Sequence, residues 1–376
     1  MCTRNLPRAD KSHFGRLRLS YLTGRLCYPL LIWGLMVVAL PQVIVGEEPI
    51  SRIGFGSCIQ QDLPQPIWKS VLEQKPERFL LIGDNIYGDS DDMAVLKQKW
   101  ERLAAEPGFQ ALRELCPVLA TWDDHDFGRN DAGVEYEFKR ESQQVFLDFL
   151  NTPADAPRRT REGVYDAEIV GPEGRRVQFI LLDTRYFRSP LIKRDWRPEP
   201  GEGDFGPYAR NTDPSATVLG ADQWKWFEEQ LRQPAEVRII ASSIQLISDG
   251  NHWEKWGNFP LERQRMFEVI RATKATGCLF ISGDRHSAEI SVNDPGTGYE
   301  LIDVTSSSIN KPSKWHTEAN EHRRGTKYYD ENFGMITIDW TAPDPVIRCQ
   351  VLTMEGKVAL QHRVTLSQLR PVPTAR

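Results

Sequence analysis

Short apolar runs alternate with amphipathic stretches along most of this 376-residue chain. Apolar runs of strand length, rich in β-branched and aromatic residues, are typical of buried strands, whereas apolar residues at helical spacing predict helices. The predicted strands are residues 52–58, 78–84, 117–122, 175–184, 237–245, 278–284, 299–308, 333–340 and 346–354. The predicted helices are residues 66–74, 91–104, 136–150, 222–233 and 261–274.

The early order of these elements is strand, helix, strand, helix, strand. This alternation predicts an α/β fold of sheets covered by helices, and the last elements predict an additional all-strand portion. A long irregular stretch, Arg188 to Leu219, is rich in Pro and Gly. Its length indicates a functional loop close to a site.

Residues 1–46 have the order of a targeting segment, with basic residues followed by an apolar run from Tyr28 to Gly46. This order predicts a signal peptide and an exported protein. The apolar run is long for a signal peptide, so an uncleaved membrane anchor over residues 28–46 is the alternative. Residues 47–376 are expected to form one domain.

Charge narrows the possible partners of that domain. Residues 1–46 hold six Lys or Arg and one Asp, which leaves 41 basic and 51 acidic residues and a net charge of −10 beyond them. Nucleic acid is therefore an unlikely partner. Cys58, Cys116, Cys278 and Cys349 have no close pairing or metal-finger spacing, so a disulfide framework is not expected.

Chemically active side chains follow four of the predicted strands. Ligands of α/β folds bind beyond the carboxyl ends of strands. Carboxylates that converge there are destabilising unless a cation joins them, and thiolate, phenolate and imidazole are also metal ligands. "GFGSC" ends in Cys58, "FLLIGDNIYGD" contains Asp84 and Tyr87, "VLATWDDHD" contains Asp123, Asp124 and His125, and "LFISGDRHSAEI" contains Asp284 and His286.

Each of these residues alone has an ordinary explanation. The acidic cluster is compatible with a solvated turn, Cys58 with a small buried apolar residue, and Tyr87 or His286 with packing. Coincidence at four strand ends explains the pattern poorly, however, and the Gly-Asp pair that follows two of these strands permits a tight turn at each. The sequence therefore predicts a metal site.

The ordered set of motifs resembles the PhoD-like alkaline phosphatases, a branch of the calcineurin-like metallophosphoesterases. The resemblance runs from about Ile53 to about Ser308. It rests on the motifs "GSC", "GDNIYGD", "TWDDHDFGRND", "LLDTRYF", "GADQWKWFEEQL", "SSIQ", "HWEKWGNFP", "ISGDRHSAEI" and "VTSSS". The resemblance implies a sandwich of two mixed β-sheets flanked by helices, with metals at the strand ends.

The same resemblance implies a ferric ion and calcium, with other divalent metals as the alternative. Cys58 and Tyr87 would serve the ferric ion, and "GSC" replaces the Asp-x-His that opens the general metallophosphoesterase pattern. Asp84 falls at the position of a bridging carboxylate. Further implied ligands are Asp124, Asp284, His286 and Asn130, the last within "FGRND", which departs from the family's motif.

The predicted reaction is metal-assisted hydrolysis of a small phosphoric monoester or diester by activated water. The resemblance gives His125 the role of contacting the phosphoryl group or protonating the leaving oxygen. Arg129, Arg185 and Arg285 are candidates to bind phosphate oxygens, with structural ion pairs as the alternative. Trp253 and Trp256 would pack or form a substrate wall.

A specialised substrate is the first alternative function, namely a phospholipid, a nucleotide or a cell-wall diester, which a substrate panel would distinguish. A non-catalytic binding protein is the second, although such a protein would be expected to have lost ligands. The enzyme is expected to act as a monomer.

Overall fold

Residues 48–195, 206–314 and 318–371 are described by a computed structural model of the chain. The predicted targeting segment, residues 1–46, lies outside these residues. All described residues belong to one compact unit, Val43–Arg376. The predicted domain boundary between residues 46 and 47 stays a prediction.

The described residues form fourteen β-strands and seven α-helices. The strands are β1 Arg52–Gly56, β2 Arg78–Ile82, β3 Val118–Thr121, β4 Asp166–Val170, β5 Val177–Leu181, β6 Ile192–Lys193, β7 Tyr208–Ala209, β8 Val237–Ala241, β9 Cys278–Ser282, β10 Ala288–Asn293, β11 Leu301–Ser306, β12 Asn332–Asp339, β13 Val346–Thr353 and β14 Val358–Thr365. The helices are α1 Trp68–Glu73, α2 Met93–Ala104, α3 Pro107–Leu115, α4 Asp124–Phe127, α5 Lys139–Phe149, α6 Gly220–Leu231 and α7 Pro260–Thr273.

Two six-stranded sheets contain most of these strands. The first sheet has the order β14-β13-β12-β1-β2-β3, and the second has the order β10-β11-β9-β8-β5-β4. In the first sheet β1, β2 and β3 are parallel, while β12, β13 and β14 add antiparallel pairs. In the second sheet β5, β8, β9 and β11 are parallel, and β4 and β10 are antiparallel edge strands. Both sheets are therefore mixed.

The side chains of β2 show how the layers are arranged. Leu80 and Ile82 belong to the core that contains residues of both sheets, whereas Phe79 and Leu81 pack with α1, α2, α3 and α5. This division follows from the two-residue period of a strand. The helices α6 and α7 join the core of the second sheet through residues such as Trp224 and Met266. The predicted fold class, two mixed sheets flanked by helices, is confirmed.

Helix α2 forms where the sequence predicts it, and its ends have local causes. The Asp92 side chain accepts a hydrogen bond from the Ala94 amide at 2.8 Å, which caps the first turn. Leu96, Trp100 and Leu103 are buried at helical spacing. Burial of such a side chain contributes roughly 1.5–3 kcal/mol, so the apolar face rather than helix propensity stabilises α2.

Several elements differ from the predictions. Helix α3 was not predicted because it begins with Pro107 and Gly108, which usually interrupt helices; here proline occupies the first turn, where it is tolerated. The strands β4, β10 and β14 were also missed. The predicted loop from Arg188 to Leu219 contains the short paired strands β6 and β7, and residues 196–205 lie outside the described part.

All four cysteines of the described residues are buried and free. They are Cys58, Cys116, Cys278 and Cys349. The prediction that these cysteines form no disulfide framework is confirmed for the described part of the chain.

Candidate metal centre

The predicted ligands lie in loops that follow the carboxyl ends of parallel strands. Cys58, Asp84 and Asp284 are each the second residue after a strand, namely β1, β2 and β9. Asp124 begins α4, directly beyond β3. Because the parallel strands of both sheets carry these loops, the side chains meet where the two sheets end.

Four of these residues have a left-handed backbone conformation. The φ angles of Cys58, Asp84, Asp284 and His286 are 56°, 49°, 65° and 50°. This conformation costs a non-glycine residue about 1–2 kcal/mol, so the surrounding fold must impose it. Backbone strain of this kind is concentrated at functional sites, where it aims side chains that a relaxed strand would point elsewhere.

Gly83 allows the two sheets to approach each other beside these ligands. Its φ is 104°, and a Cβ atom there would lie 2.6 Å from the Asp123 Cβ and 2.9 Å from the Ser243 Cβ. Gly283 packs closely against Ser57, because a Cβ atom at position 283 would lie 2.5 Å from the Ser57 hydroxyl oxygen. The glycine of each Gly-Asp pair is therefore required for close packing between loops.

The first donor group combines sulfur, oxygen and nitrogen atoms. One ligand atom each of Cys58, Asp84 and His286 lies within 4.8 Å of the others. The Cys58 Sγ lies 3.4 Å from Asp84 Oδ2, and the Tyr87 hydroxyl donates to the same oxygen at 3.2 Å. The His286 Nδ1 lies 2.7 Å from the carbonyl of Lys311, and the side chain also hydrogen-bonds Cys58, a member of the same group. This mixture suits a transition metal.

The second donor group shares Asp84 with the first. The ligand atoms of Asp84, Asp124 and His125 lie within 4.8 Å of one another. Asp124 is oriented by the amides of Asp131 and His125, which donate to its two oxygens at 2.6 and 2.8 Å. The His125 Nδ1 lies 2.7 Å from a carboxylate oxygen of Asp89. Asp89, which sequence reasoning did not select, therefore orients His125.

Asp84 gives the main structural reason to expect cations. Its side chain is fully buried, and Oδ1 has no hydrogen-bond partner among the described residues. Burial, followed by the charges of Cys58, Asp124 and Asp123, raises its pKa well above the usual value. A buried carboxylate among like charges is destabilising unless a cation joins them. The donor set fits two cations, one beside Cys58 and His286 and one beside Asp124, with Asp84 between them.

The metal-depleted protein is expected to lose stability as the pH rises from about 4 to about 7. Burial, together with the charge of Asp124, raises the pKa of Asp131 to about 6 and the pKa values of Asp126 and Asp284 to about 7. The stabilising contribution of a carboxyl group with a raised pKa is complete below the unfolded value of about 3.9, and it is lost steadily as the pH rises to the folded value.

The Cys58 thiol has the opposite effect, since the His286 charge and hydrogen bonds outweigh its burial and lower its pKa to about 6. Its contribution begins only above about pH 6, so the carboxyl groups set the direction over most of the range. Calorimetric melting of chelated protein at several pH values should show the falling melting temperature, and added metal should remove the dependence. A melting temperature that rises over this range without metal would contradict the arrangement.

Two acidic residues that sequence reasoning did not select form a third donor group with Asp124. Carboxylate oxygens of Asp124, Asp131 and Glu254 lie within 4.8 Å of one another. Glu254 lies in the loop after β8, far from Asp124 in the sequence, so only the tertiary structure brings them together. Asp131 lies in the motif "TWDDHDFGRND" and Glu254 in the motif "HWEKWGNFP", and this placement is the one sequence signal for them. Oxygen donors of this kind are those that calcium prefers.

Asn130, a predicted ligand, is exposed beside this group. Its side-chain amide donates to Asp131 Oδ2 at 2.8 Å. The neighbouring Asp131, rather than Asn130, contributes to the third donor group. A ligand role for Asn130 stays a prediction.

Arg185 is a structural ion-pair partner. It is fully buried, pairs with Asp123 and lies 2.6 Å from Glu254, which also pairs with Arg188 at 2.8 Å. Asp123 additionally accepts a hydrogen bond from the Ser243 hydroxyl at 2.7 Å. These contacts connect loops of both sheets and fit the structural alternative for Arg185. A role in binding phosphate stays a prediction.

Arg285 and Arg129 have different surroundings. Arg285 lies next to the predicted ligand Asp284 and donates to Glu318 at 2.9 Å. Arg285 also lines a cavity that opens at the centre. Arg129 is exposed and pairs with Asp91. Of the three candidate arginines, Arg285 is the one that the structure places beside the predicted ligands.

Two adjoining cavities open at the centre. The smaller, of about 220 Å³, is lined by Asp124, His125, Asn130, Asp131, Trp253, Glu254, Asp284, Arg285 and His286. The larger, of about 380 Å³, is lined by Arg129, Asn130, Asp131, Ala132, Glu135, Tyr136, Pro190, Leu191, Lys193 and Tyr208. Asn130 and Asp131 line both. Trp253 therefore forms part of a wall, whereas Trp256 is fully buried in the core.

Fold and centre together define a class of protein. Two mixed sheets, helices on the outside and a cluster of candidate metal ligands beyond the strand ends are the arrangement of metallophosphoesterase-like folds. A family model, that of the PhoD-like phosphatases, matches residues 92–342. The chain belongs to the PhoD-like phosphatase family.

Similar proteins agree with this assignment. Alkaline phosphatase D of Bacillus subtilis (strain 168) is 22% identical over an alignment of 278 residues, with 64% of this chain and 46% of that protein covered. The chain thus matches less than half of that relative. The solved structure of PhoD has a TM-score of 0.67 and 16% identity, with 88% of this chain and 73% of that chain covered.

The fold is also similar to that of purple acid phosphatase PPD1 from yellow lupin (Lupinus luteus). The TM-score is 0.56 and the identity 13%, with 85% of this chain and 54% of that chain covered. Within the described residues no helix has the length and hydropathy that crossing a membrane requires.

Proposed function

We propose that this chain is an exported, metal-dependent hydrolase of small phosphoric monoesters or diesters. The observation that carries the proposal is Asp84, a buried carboxylate shared by two donor groups beside a cavity. Membership of the PhoD-like phosphatase family and the metallophosphoesterase-like fold support the same reaction.

The bound cations would neutralise charge on the phosphoryl group and make water a usable nucleophile near neutral pH. The first donor group, with Cys58 and Tyr87, suits a ferric ion, and the oxygen donors of the third group suit calcium. The family resemblance points to the same pair of metals.

His125 is placed to protonate the leaving oxygen. Its Nδ1 is engaged by Asp89, so Nε2 is the atom that can hold a proton toward the cavity. Burial disfavours the cation, but the charge of Asp124 and the hydrogen bond to Asp89 raise the pKa of His125 to about 9. A protonated imidazole beside the leaving group is a general acid.

Arg285 and the larger cavity would bind the rest of the substrate. Arg285 is held by Glu318 and faces the smaller cavity, where its guanidinium can donate to phosphoryl oxygens. The larger cavity, with Tyr136, Leu191 and Tyr208 in its walls, would hold the organic part of the ester.

Metal analysis combined with an activity assay tests the proposed function. Protein purified without chelator should contain iron and calcium, hydrolyse 4-nitrophenyl phosphate, lose this activity on chelation and regain it when metals return. An inactive, metal-free preparation that stays inactive after metals are added would refute the proposal. Export rests on residues 1–46, and a chain found in the cytoplasm with Met1 retained would count against it.

The Cys58→Ala variant is expected to lose a visible colour that the wild-type protein has. Phenolate and thiolate ligands on an oxidised metal give charge-transfer absorption in the visible range. Cys278→Ala is a matched control, because Cys278 is also fully buried and free but lies in β9. A colourless wild-type protein that is fully active with zinc alone would contradict the ferric assignment.

A further inference from the structure

Lys311 lies in the loop that follows β11 and contacts two residues of the metal centre. Its carbonyl accepts the hydrogen bond from His286 Nδ1 at 2.7 Å. Its side chain folds back so that Nζ lies 3.2 Å from the centroid of the Tyr87 ring. The backbone of this residue therefore orients one predicted ligand while its ammonium group contacts another.

The Lys311 ammonium differs from the arginine side chains around the centre, because it forms no ion pair with a carboxylate among the described residues. Arg185 pairs with Asp123 and Glu254, and Arg285 pairs with Glu318. Among the described residues no carboxylate oxygen lies within 4.0 Å of the Lys311 ammonium, which has the face of an aromatic ring instead. A half-buried ammonium in this state retains its capacity to bind an anion.

The position of Lys311 is suited to such an anion. The Tyr87 ring that it covers lies 4.3 Å from the ring of His125, which lines the smaller cavity. A lysine side chain has rotatable bonds along its whole stem and can turn from the ring toward that cavity. The chain has a net charge of −10 beyond residue 46, so local cations must provide the attraction for a phosphate.

We propose that Lys311 binds the phosphoryl group of the substrate, donating from its ammonium to a non-bridging oxygen. This inference rests on the proposed function and extends it by naming a further phosphate-binding residue. The ligand chemistry is that of a tetrahedral oxyanion, which a phosphoric ester and inorganic phosphate share. Lys311 would act together with Arg285, which faces the same cavity from the loop after β9.

Lys311→Met tests this role, because it keeps the unbranched side chain as far as Cε and removes the charged ammonium group. Lys314→Met is the matched control, since Lys314 lies in the same loop but is exposed and pairs with Asp330 at 3.1 Å. Lys311→Arg restores the charge. Metal content by mass spectrometry of each purified protein establishes that the centre is retained.

Calorimetric titration with inorganic phosphate is the direct readout. We expect Lys311→Met to bind phosphate about ten- to hundred-fold more weakly than the wild type, the effect of losing one charge-assisted hydrogen bond. Lys314→Met should match the wild type, and Lys311→Arg should recover most of the affinity. In kinetics with 4-nitrophenyl phosphate, Lys311→Met should raise KM by a similar factor and change kcat less.

Phosphate affinity within about two-fold of the wild type in a metal-replete Lys311→Met protein would overturn the inference. The titration separates this result from failure of the proposed function. A wild type that binds phosphate without hydrolysing any ester refutes the hydrolase, yet the titration still decides the role of Lys311. A metal-replete wild type that does not bind phosphate overturns both.

Discussion

Asp84→Asn should lower bound metal and ester hydrolysis together, with at least about a thousand-fold loss of rate, which corresponds to ~4 kcal/mol of transition-state stabilisation. Asp84 belongs to both mixed donor groups, so its loss affects two cation positions. An amide at this position is neutral and cannot balance two cations. Metal content and the rate with 4-nitrophenyl phosphate are the measurements.

Asparagine is the appropriate replacement because the φ of Asp84 is 49°. Asparagine is among the few residues that accept this left-handed conformation readily, so the loop after β2 should keep its shape. In the metal-depleted state the variant should melt at a higher temperature than the wild type, because it removes a buried carboxyl group whose pKa is raised.

With metals present the order should reverse, because the wild type gains the binding energy of its cations. Asp62→Asn is the control, since Asp62 lies in the loop after β1 but is partly exposed and pairs with Arg102. An Asp84→Asn protein with full metal content and wild-type rate would show that Asp84 is an ordinary buried acid.

His125→Ala should retain the metals, because Asp84 and Asp124 remain as donors of the second group. It should lose about a hundred- to ten-thousand-fold in turnover, the usual range for removal of a general acid. The loss should be greater for alkyl phosphates than for nitrophenyl phosphate, because nitrophenolate leaves without a proton. Asp124 belongs to both the second and the third donor group. Asp124→Ala should therefore lower metal content and rate together.

Asp89→Asn separates orientation from proton transfer. The Asp89 carboxylate bonds His125 Nδ1, and an amide keeps the hydrogen bond without the charge. We expect a smaller loss of turnover than in His125→Ala, and a lower apparent pKa for the His125 imidazole in the pH profile of kcat.

An Asp124→Ala protein with full metal content and wild-type rate would contradict the ligand role of Asp124. A His125→Ala protein with equal losses of turnover for all leaving groups would contradict the role of His125 as the acid.

The predicted ligands were found from a local pattern, and the reason is physical. Cys58, Asp84 and Asp284 each follow a strand by the same short offset, and parallel strands bring such positions together in any fold of this class. Binary patterning also predicted most helices, because a helix such as α2 buries residues at a regular spacing.

Other features had no local pattern. Asp89 and Glu254 lie in loops without a fixed offset from a strand. Their roles depend on contacts with a different loop, which carries His125 and Asp124. Helix α3 was missed because Pro107 and Gly108 suppress the helical signal, although Gly108 is required by the close approach of Trp68, whose Cβ would lie 2.5 Å from a Cβ at this position.

The sequence by itself determined the fold class, the family resemblance and a donor set suited to metals, because strand alternation and residues at strand ends are local properties. Only the tertiary structure decided that Glu254 joins Asp124, that Arg185 forms ion pairs, and that the Lys311 ammonium lies on the Tyr87 ring. Such assignments depend on contacts between loops of two different sheets. Those contacts are set by how the sheets pack, which no single segment of the chain specifies.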